Sequence, residues 1–131
     1  MIIEKIAIAS HESVLYINIY DLVYCQSEGL SISIFLANGQ RHIVNKQLSK
    51  VQGLLPDIFI RISQCVIINK LYLNKIEKKE KLICMEGNIK LSYTMALGKL
   101  VDRIGSVSSR NIRFSNSFID DGVGQAVLEI A

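Results

Sequence analysis

The 131-residue sequence has no tryptophan, one proline, two histidines and three cysteines, and these scarcities exclude several classes of protein. Cys25, Cys65 and Cys84 are odd in number, widely spaced and without a Cys-x-x-Cys pair, so neither a disulfide framework nor a structural zinc site is predicted. Because each cysteine lies in an apolar run, we expect three buried free thiols in a reducing compartment.

Catalytic and membrane signatures are also missing. His11 and His42 are far apart and belong to no recognisable catalytic arrangement, which makes an enzyme the least favoured class. Residues 122–124, Gly-Val-Gly, lack the third glycine and the following helix of a dinucleotide fingerprint. Charges interrupt the N-terminal apolar residues, and no apolar run reaches the length of a membrane span. We therefore expect a soluble cytoplasmic protein with no cofactor and no metal.

Isoleucine and valine dominate what is present, with 21 and 9 residues respectively. Such β-branched side chains favour strands, so a single, mainly β domain is predicted. Apolar and polar residues alternate over residues 30–34, which is typical of a half-buried strand. Asn38-Gly39 then predicts a hairpin turn into residues 40–44, and Gly87-Asn88 predicts a second hairpin.

Two short helices complete the predicted elements. The first is expected to be capped by Asn45 and to run two to three turns before Pro56. The second is expected to follow a cap at Thr94 and to stop at Gly105. The ordered domain is thus assigned to residues 1–104. Residues 105–131 form a tail for which a linker, an added strand and a disordered segment all remain open.

The net charge of +3 is small, but its distribution is uneven. Residues 1–40 hold one basic and four acidic side chains, residues 41–81 hold nine and three, and residues 82–131 hold five of each. The basic middle third can meet phosphate or an acidic partner, or it can be ordinary solvated surface. Lys46 and Lys50, four apart on the first predicted helix, can touch a phosphate backbone together, although solubility explains them equally well.

A polar cluster, Arg61-Ile62-Ser63-Gln64-Cys65, interrupts an otherwise apolar stretch. Arg61 can pair with phosphate, and the Gln64 amide can bind an adenine edge. On chemistry alone the favoured alternative is a turn between two strands, in which Ser63 and Gln64 satisfy local backbone groups.

Three stretches, residues 20–29, 59–69 and 89–94, resemble the LytTR DNA-binding domain, the effector module of many bacterial response regulators. The likeness runs from about Ile2 to Ile104, and the middle stretch, with its Arg, polar cluster, apolar strand and closing Asn, is the most specific. The resemblance implies an elongated stack of small antiparallel sheets with one or two short helices. It also implies that loops and strand ends, rather than a recognition helix, contact DNA.

The resemblance places contact positions at Leu30, Ser63, Gln64 and Tyr93. The family often has a hydrogen-bonding residue in place of Leu30, and Arg in place of Tyr93, so we expect weaker and less salt-sensitive binding. Asp21, Arg61 and Asn69 match the family at positions that we expect to be mostly structural. With the two lysines, the candidate DNA-binding residues are Leu30, Ser31, Lys46, Lys50, Arg61, Ser63, Gln64, Ser92, Tyr93 and Thr94.

These observations predict a non-enzymatic, sequence-specific transcriptional regulator that binds repeats in promoter DNA as a homodimer. No receiver domain is recognised in the chain, so control is expected from abundance, oligomerisation or a separate signalling partner. The alternative is a protein-interaction module of the same fold with eroded DNA contacts. It would use exposed strands or the tail, whose Phe114, Phe118 and Ile119 could dock on another surface.

Overall fold

The computed structural model describes the backbone of residues 4–111 and the side chains of residues 4–105. The chain divides into two compact units, Met1–Ala96 and a second that begins at Leu97. Every strand of the described residues lies in the first unit, and the second is described through one helix.

The strands of the first unit are short and form three antiparallel sheets. A two-stranded sheet pairs β1 with β2, a five-stranded sheet has the order β5-β4-β3-β7-β6, and a three-stranded sheet has the order β10-β9-β8. The mainly β fold of small antiparallel sheets is therefore confirmed. The bounds are β1 Lys5–Ala9, β2 Val14–Asn18, β3 Leu22–Glu28, β4 Ser31–Leu36, β5 Arg41–Val44, α1 Leu48–Gln52, β6 Phe59–Arg61, β7 Val66–Asn69, β8 Leu73–Glu77, β9 Leu82–Met85, β10 Ile89–Ser92 and α2 Leu97–Asn111.

The main core lies where the β1–β2 sheet and α1 cover one face of the five-stranded sheet. Isoleucine and valine fill it because their branched side chains pack closely on a pleated surface. Its buried members are Ile8, Ile17, Leu22, Cys25, Ile32, Ile34, Val44, Leu48, Val51 and Ile67.

Both predicted hairpins are confirmed. The turn at Asn38-Gly39 joins β4 to β5, with Gly39 at a φ of +91°. The turn at Gly87-Asn88 joins β9 to β10, and these two residues also have positive φ. The half-buried pattern predicted for β4 is wrong at Ser33, which is fully buried like Ile32 and Ile34. Ser33 points to the face of β4 opposite Ile32 and Ile34, so that face is covered at this position as well.

The first helix is shorter than predicted. It has five residues and begins after Gln47, whose extended backbone makes it the N-cap, so Asn45 is not the cap. Beyond Gln52 the chain continues in turns, with the Leu54 amide bonded to the Val51 carbonyl, because Gly53 and Pro56 weaken further helix.

The second helix begins at Leu97, so Thr94 is too far away to cap it. It also continues through Gly105 to Asn111, and the predicted stop is wrong. A glycine costs a helix interior only about 1 kcal/mol, which is too little to end it without a proline. The predictions for Phe114, Phe118 and Ile119 lie outside the described residues. None of the helices described is long and apolar enough to span a membrane.

The three cysteines are free, but only two of them are buried. Burial raises the pKa of Cys25 to about 12, so this thiol stays neutral and unreactive. Cys65 is exposed, against prediction, because it lies in the loop between β6 and β7 rather than within a strand.

Candidate nucleic-acid interface

The tip of the β3–β4 hairpin presents the first candidate residue. Glu28 pairs with Ser31 across the turn, which leaves Gly29 and Leu30 as a two-residue loop. Gly29 has a φ of +67°, a conformation that glycine adopts without steric cost and that tight hairpins require. The Ser31 hydroxyl donates to the Glu28 carbonyl oxygen at 3.2 Å and braces the turn. Leu30 is 94% exposed as a result.

Arg61 organises the loop between β6 and β7. Its Nε donates to the Ser63 carbonyl oxygen at 3.2 Å and its Nη2 to the Gln64 carbonyl oxygen at 2.6 Å. Its Nη1 donates to Oε1 of Gln52 at 2.9 Å, which ties the loop to the end of α1. The guanidinium fork is thus engaged within the protein, in agreement with the structural role that the resemblance implied.

The rest of this loop combines a local turn with an exposed amide. The Ser63 hydroxyl oxygen accepts from the Cys65 backbone amide at 3.2 Å, as the turn interpretation predicted. Ser27 N donates to the Cys65 carbonyl oxygen at 2.7 Å, so the loop is bonded to β3 as well. The side chain of Gln64 is exposed, and its amide is accessible to a ligand.

Lys46 is held beside these two loops. It precedes α1 rather than lying on it, so the predicted pairing with Lys50 on one helix is wrong. Lys46 Nζ donates to the Ala9 carbonyl oxygen at 2.8 Å, which fixes the side chain against the end of β1. An ammonium has three donors, so two remain after this bond. Lys50 is exposed in the last turn of α1.

The hairpin tip, the segment before α1 and the β6–β7 loop meet at one cleft of about 270 Å³. Four of the predicted residues, Leu30, Lys46, Arg61 and Gln64, are therefore brought together from three separate parts of the chain. Sequence reasoning did not single out the other residues that line the cleft, which are Ser27, Gly29, Gln47, Leu48 and Ser49.

The third predicted loop adjoins the second without lining this cleft. The Thr94 amide donates to the Ile62 carbonyl oxygen at 2.9 Å, so residues 92–94 lie beside the start of the β6–β7 loop. Ser92 and Thr94 are exposed, whereas the Tyr93 side chain is 4% exposed and belongs to the core. The prediction of Tyr93 as a contact residue requires an accessible ring, so the structure corrects it.

Asn69 and Asp21 make hydrogen bonds that join the ends of strands in the five-stranded sheet. Asn69 is fully buried; its Nδ2 donates to the Leu22 carbonyl oxygen at 2.9 Å, and its Oδ1 accepts from the Leu71 amide at 2.9 Å. These bonds join the end of β7 to the start of β3, 47 residues earlier. The Asp21 carbonyl oxygen accepts from the Ala37 amide, which anchors the end of β4.

Comparison with known proteins identifies relatives of this architecture. A family model described as the LytTR DNA-binding domain matches residues 12–101. Among solved structures, the chain is similar to the LytTR DNA-binding domain of a methyl-accepting/DNA response regulator from Bacillus cereus, with a TM-score of 0.62 and 13% identity over 76% of this chain and 94% of that one. A search of curated protein sequences finds no significant match. The cleft lies within the residues that the family model matches.

Proposed function

The chain belongs to the LytTR family of DNA-binding domains, and on that premise we propose that it is a sequence-specific transcriptional regulator whose loops contact promoter DNA. The observation that carries the proposal is the meeting of an exposed hairpin tip, a lysine and a braced polar loop at one cleft. Loops from three parts of the chain give a surface that can follow a groove and its phosphates without a recognition helix.

Gln64 is the residue proposed for direct base readout. The Gln64 side chain is exposed, while its backbone carbonyl oxygen accepts a hydrogen bond from Arg61. The side-chain amide therefore extends from a backbone that is held in place. A glutamine amide can donate to N7 and accept from N6 of adenine in the major groove at the same time. A braced loop also reduces the conformational entropy that binding must remove.

Lys46 and Lys50 are proposed as phosphate contacts. Lys46 is anchored at Ala9 with two donors left for a ligand, and Lys50 is exposed four residues later, in α1. Each lysine that neutralises a phosphate releases condensed counterions and adds about 0.9 to the salt dependence of binding. Exposed Ser92 and Thr94 can add neutral hydroxyl contacts beside the β6–β7 loop.

Selection of bound duplexes from a random DNA pool tests the proposal. We expect the full-length protein to enrich a repeated motif that two protomers occupy. Gln64→Ala should then weaken binding to the enriched duplex by about 1–3 kcal/mol and relax the sequence preference at one position. Gln40→Ala is the matched control, because Gln40 is exposed in the β4–β5 turn and does not line the cleft. Failure to enrich any motif with a folded protein would refute sequence-specific binding.

A protein-interaction module of the same fold is the second candidate. It is favoured by the burial of Tyr93, because this predicted contact position then offers DNA neither charge nor an accessible ring. Removal of the tail distinguishes the two functions, because an interaction module that uses the tail should lose its partner while a DNA-binding domain keeps its affinity. Since α2 is described through Asn111, the deletion should begin at residue 112 so that every described helical residue is kept. Association of a separate signalling partner would be measured with the same two proteins, the full chain and the variant without the tail.

A further inference from the structure

We propose that Leu30 recognises the 5-methyl group of a thymine in the major groove, an inference that rests on the proposed DNA-binding function. Leu30 is the most exposed of the large apolar side chains in the described residues, at 94%. It lies at the tip of a two-residue turn and lines the same cleft as Lys46 and Gln64. Its position beside Lys46 and Gln64 lets Leu30 reach the groove that those two residues are proposed to contact.

The chemistry of Leu30 restricts what it can bind there. A leucine neither donates nor accepts hydrogen bonds, so it cannot pair with phosphates or with the polar edges of bases. The thymine methyl is the apolar group that the major groove displays, and it distinguishes A·T pairs from the others. Contact would remove both apolar surfaces from water, which is the driving force for burying a methyl group.

The surroundings of Leu30 favour DNA over a protein partner. Anchor residues of protein interfaces commonly cluster in well-packed pockets, and large exposed apolar patches mark such sites. At this cleft the other apolar lining residue, Leu48, is buried, and Leu30 is accompanied by serine, lysine, arginine and glutamine side chains. One apolar contact among polar and basic ones is the composition expected of a groove reader.

The turn holds Leu30 in a defined position. Gly29 supplies the positive φ, and the Ser31 hydroxyl bonds the Glu28 carbonyl oxygen across the loop. Leu30→Ala removes no buried contact, so the variant should fold as the wild type does. Leu30→Met keeps an apolar side chain of similar reach and serves as the conservative variant.

The test uses the duplex that the wild-type full-length protein enriches, resynthesised with uracil in place of thymine at one position at a time. Uracil keeps every hydrogen-bonding group of thymine and lacks only the methyl group. For the wild type we expect one position at which uracil weakens binding by about fourfold. Leu30→Ala should bind the thymine and uracil duplexes equally, whereas Leu30→Met should keep the difference. Leu71→Ala, at an exposed leucine outside the cleft, should retain the full uracil penalty.

Each result separates this inference from the function on which it rests. If a motif is enriched but no uracil substitution weakens binding, the proposed function stands and the role of Leu30 is refuted. The same holds if the uracil penalty persists unchanged in Leu30→Ala, because another residue then reads the methyl group. If the wild type enriches no duplex, both proposals fail together. If Leu30→Ala leaves DNA binding intact and abolishes association with a protein partner, the side chain belongs to a protein interface instead.

Discussion

Arg61 and Lys46 line the same cleft, yet the structure predicts that their removal changes the salt dependence of DNA binding differently. Arg61 directs three donors into the protein, at Ser63, Gln64 and Gln52. Lys46 uses one donor on Ala9 and keeps two for a ligand. We therefore expect Arg61 to act by positioning the β6–β7 loop and Lys46 to act by contact with phosphate.

The size of the Arg61 effect follows from its hydrogen bonds. A hydrogen bond to a charged group contributes about 1.5–3 kcal/mol, which partial exposure of Arg61 reduces to about 1 kcal/mol for each of the three bonds. If about 2 kcal/mol of this orders the loop, Arg61→Ala should lower DNA affinity about 30-fold, because only a small fraction of the protein then has the binding-competent loop. Arg61→Lys should lose nearly as much, since one ammonium cannot span three acceptors in a fixed fork.

Binding measured over a salt series tells the two roles apart. For Arg61→Ala and Arg61→Lys, log K should fall in parallel with the wild type at every salt concentration, because no phosphate contact is lost. For Lys46→Ala, the slope of log K against log salt should become shallower by about 0.9. Lys79→Ala, at an exposed lysine of the β8–β9 turn, should leave both affinity and slope unchanged. A slope that shallows in Arg61→Ala but not in Arg61→Lys would refute the positioning role and assign Arg61 to phosphate.

Three further predictions concern the framework and the thiols. Asn69→Ala should lower the free energy of unfolding by about 3–5 kcal/mol in urea titration, because the buried carbonyl oxygens of Ile19 and Leu22 lose the amide that donates to them. A loss below about 1 kcal/mol would contradict this. Iodoacetamide should label Cys65 in the native protein, because this thiol is exposed, and bound DNA should slow the labelling. Mass spectrometry of the peptides measures both effects, and modification of Cys25 at the same rate would contradict the prediction. Burial raises the pKa of Cys25 to about 12, so the native state keeps a proton that the unfolded state releases from about pH 9. Stability should consequently fall from pH 9 to 12 more steeply in the wild type than in Cys25→Ala, by up to about 1.4 kcal/mol per pH unit, and equal slopes would exclude this cause.

Features set by local chemistry could be predicted from the sequence. Asn38-Gly39 and Gly87-Asn88 are typical turn pairs between apolar runs, because Gly39, Gly87 and Asn88 adopt positive φ at little cost. The Ser63 turn is local as well, because its hydroxyl bonds a backbone amide two residues away. The grouping of Leu30 with Gln64 was anticipated from family resemblance, not from the residue pattern.

Features set by distant partners escaped prediction. The first helix is five residues long because its apolar residues are held by the core, and periodicity could not show where that support ends. The Arg61 bond to Gln52 joins residues nine apart in different elements, and neither residue signals the other. Tyr93 follows an exposed serine and precedes an exposed threonine, so alternation alone places it on the inner face, but the family position suggested contact.

The internal hydrogen bonds of Arg61 and the burial of Tyr93 limit the contacts that this surface can make with phosphates. Because the donors of Arg61 are engaged within the protein and Tyr93 fills the core, the cationic donors left for phosphate at the predicted contact positions are those of Lys46 and Lys50. Two phosphate contacts per protomer correspond to a salt slope of only about 2, so electrostatics alone give weak binding. Affinity must then come from base contacts by neutral groups and from two protomers bound to adjacent repeats, which multiplies the contacts without adding any to the monomer. With few cationic donors free for phosphate, tight binding depends on base contacts and on paired occupancy, the two features that we propose.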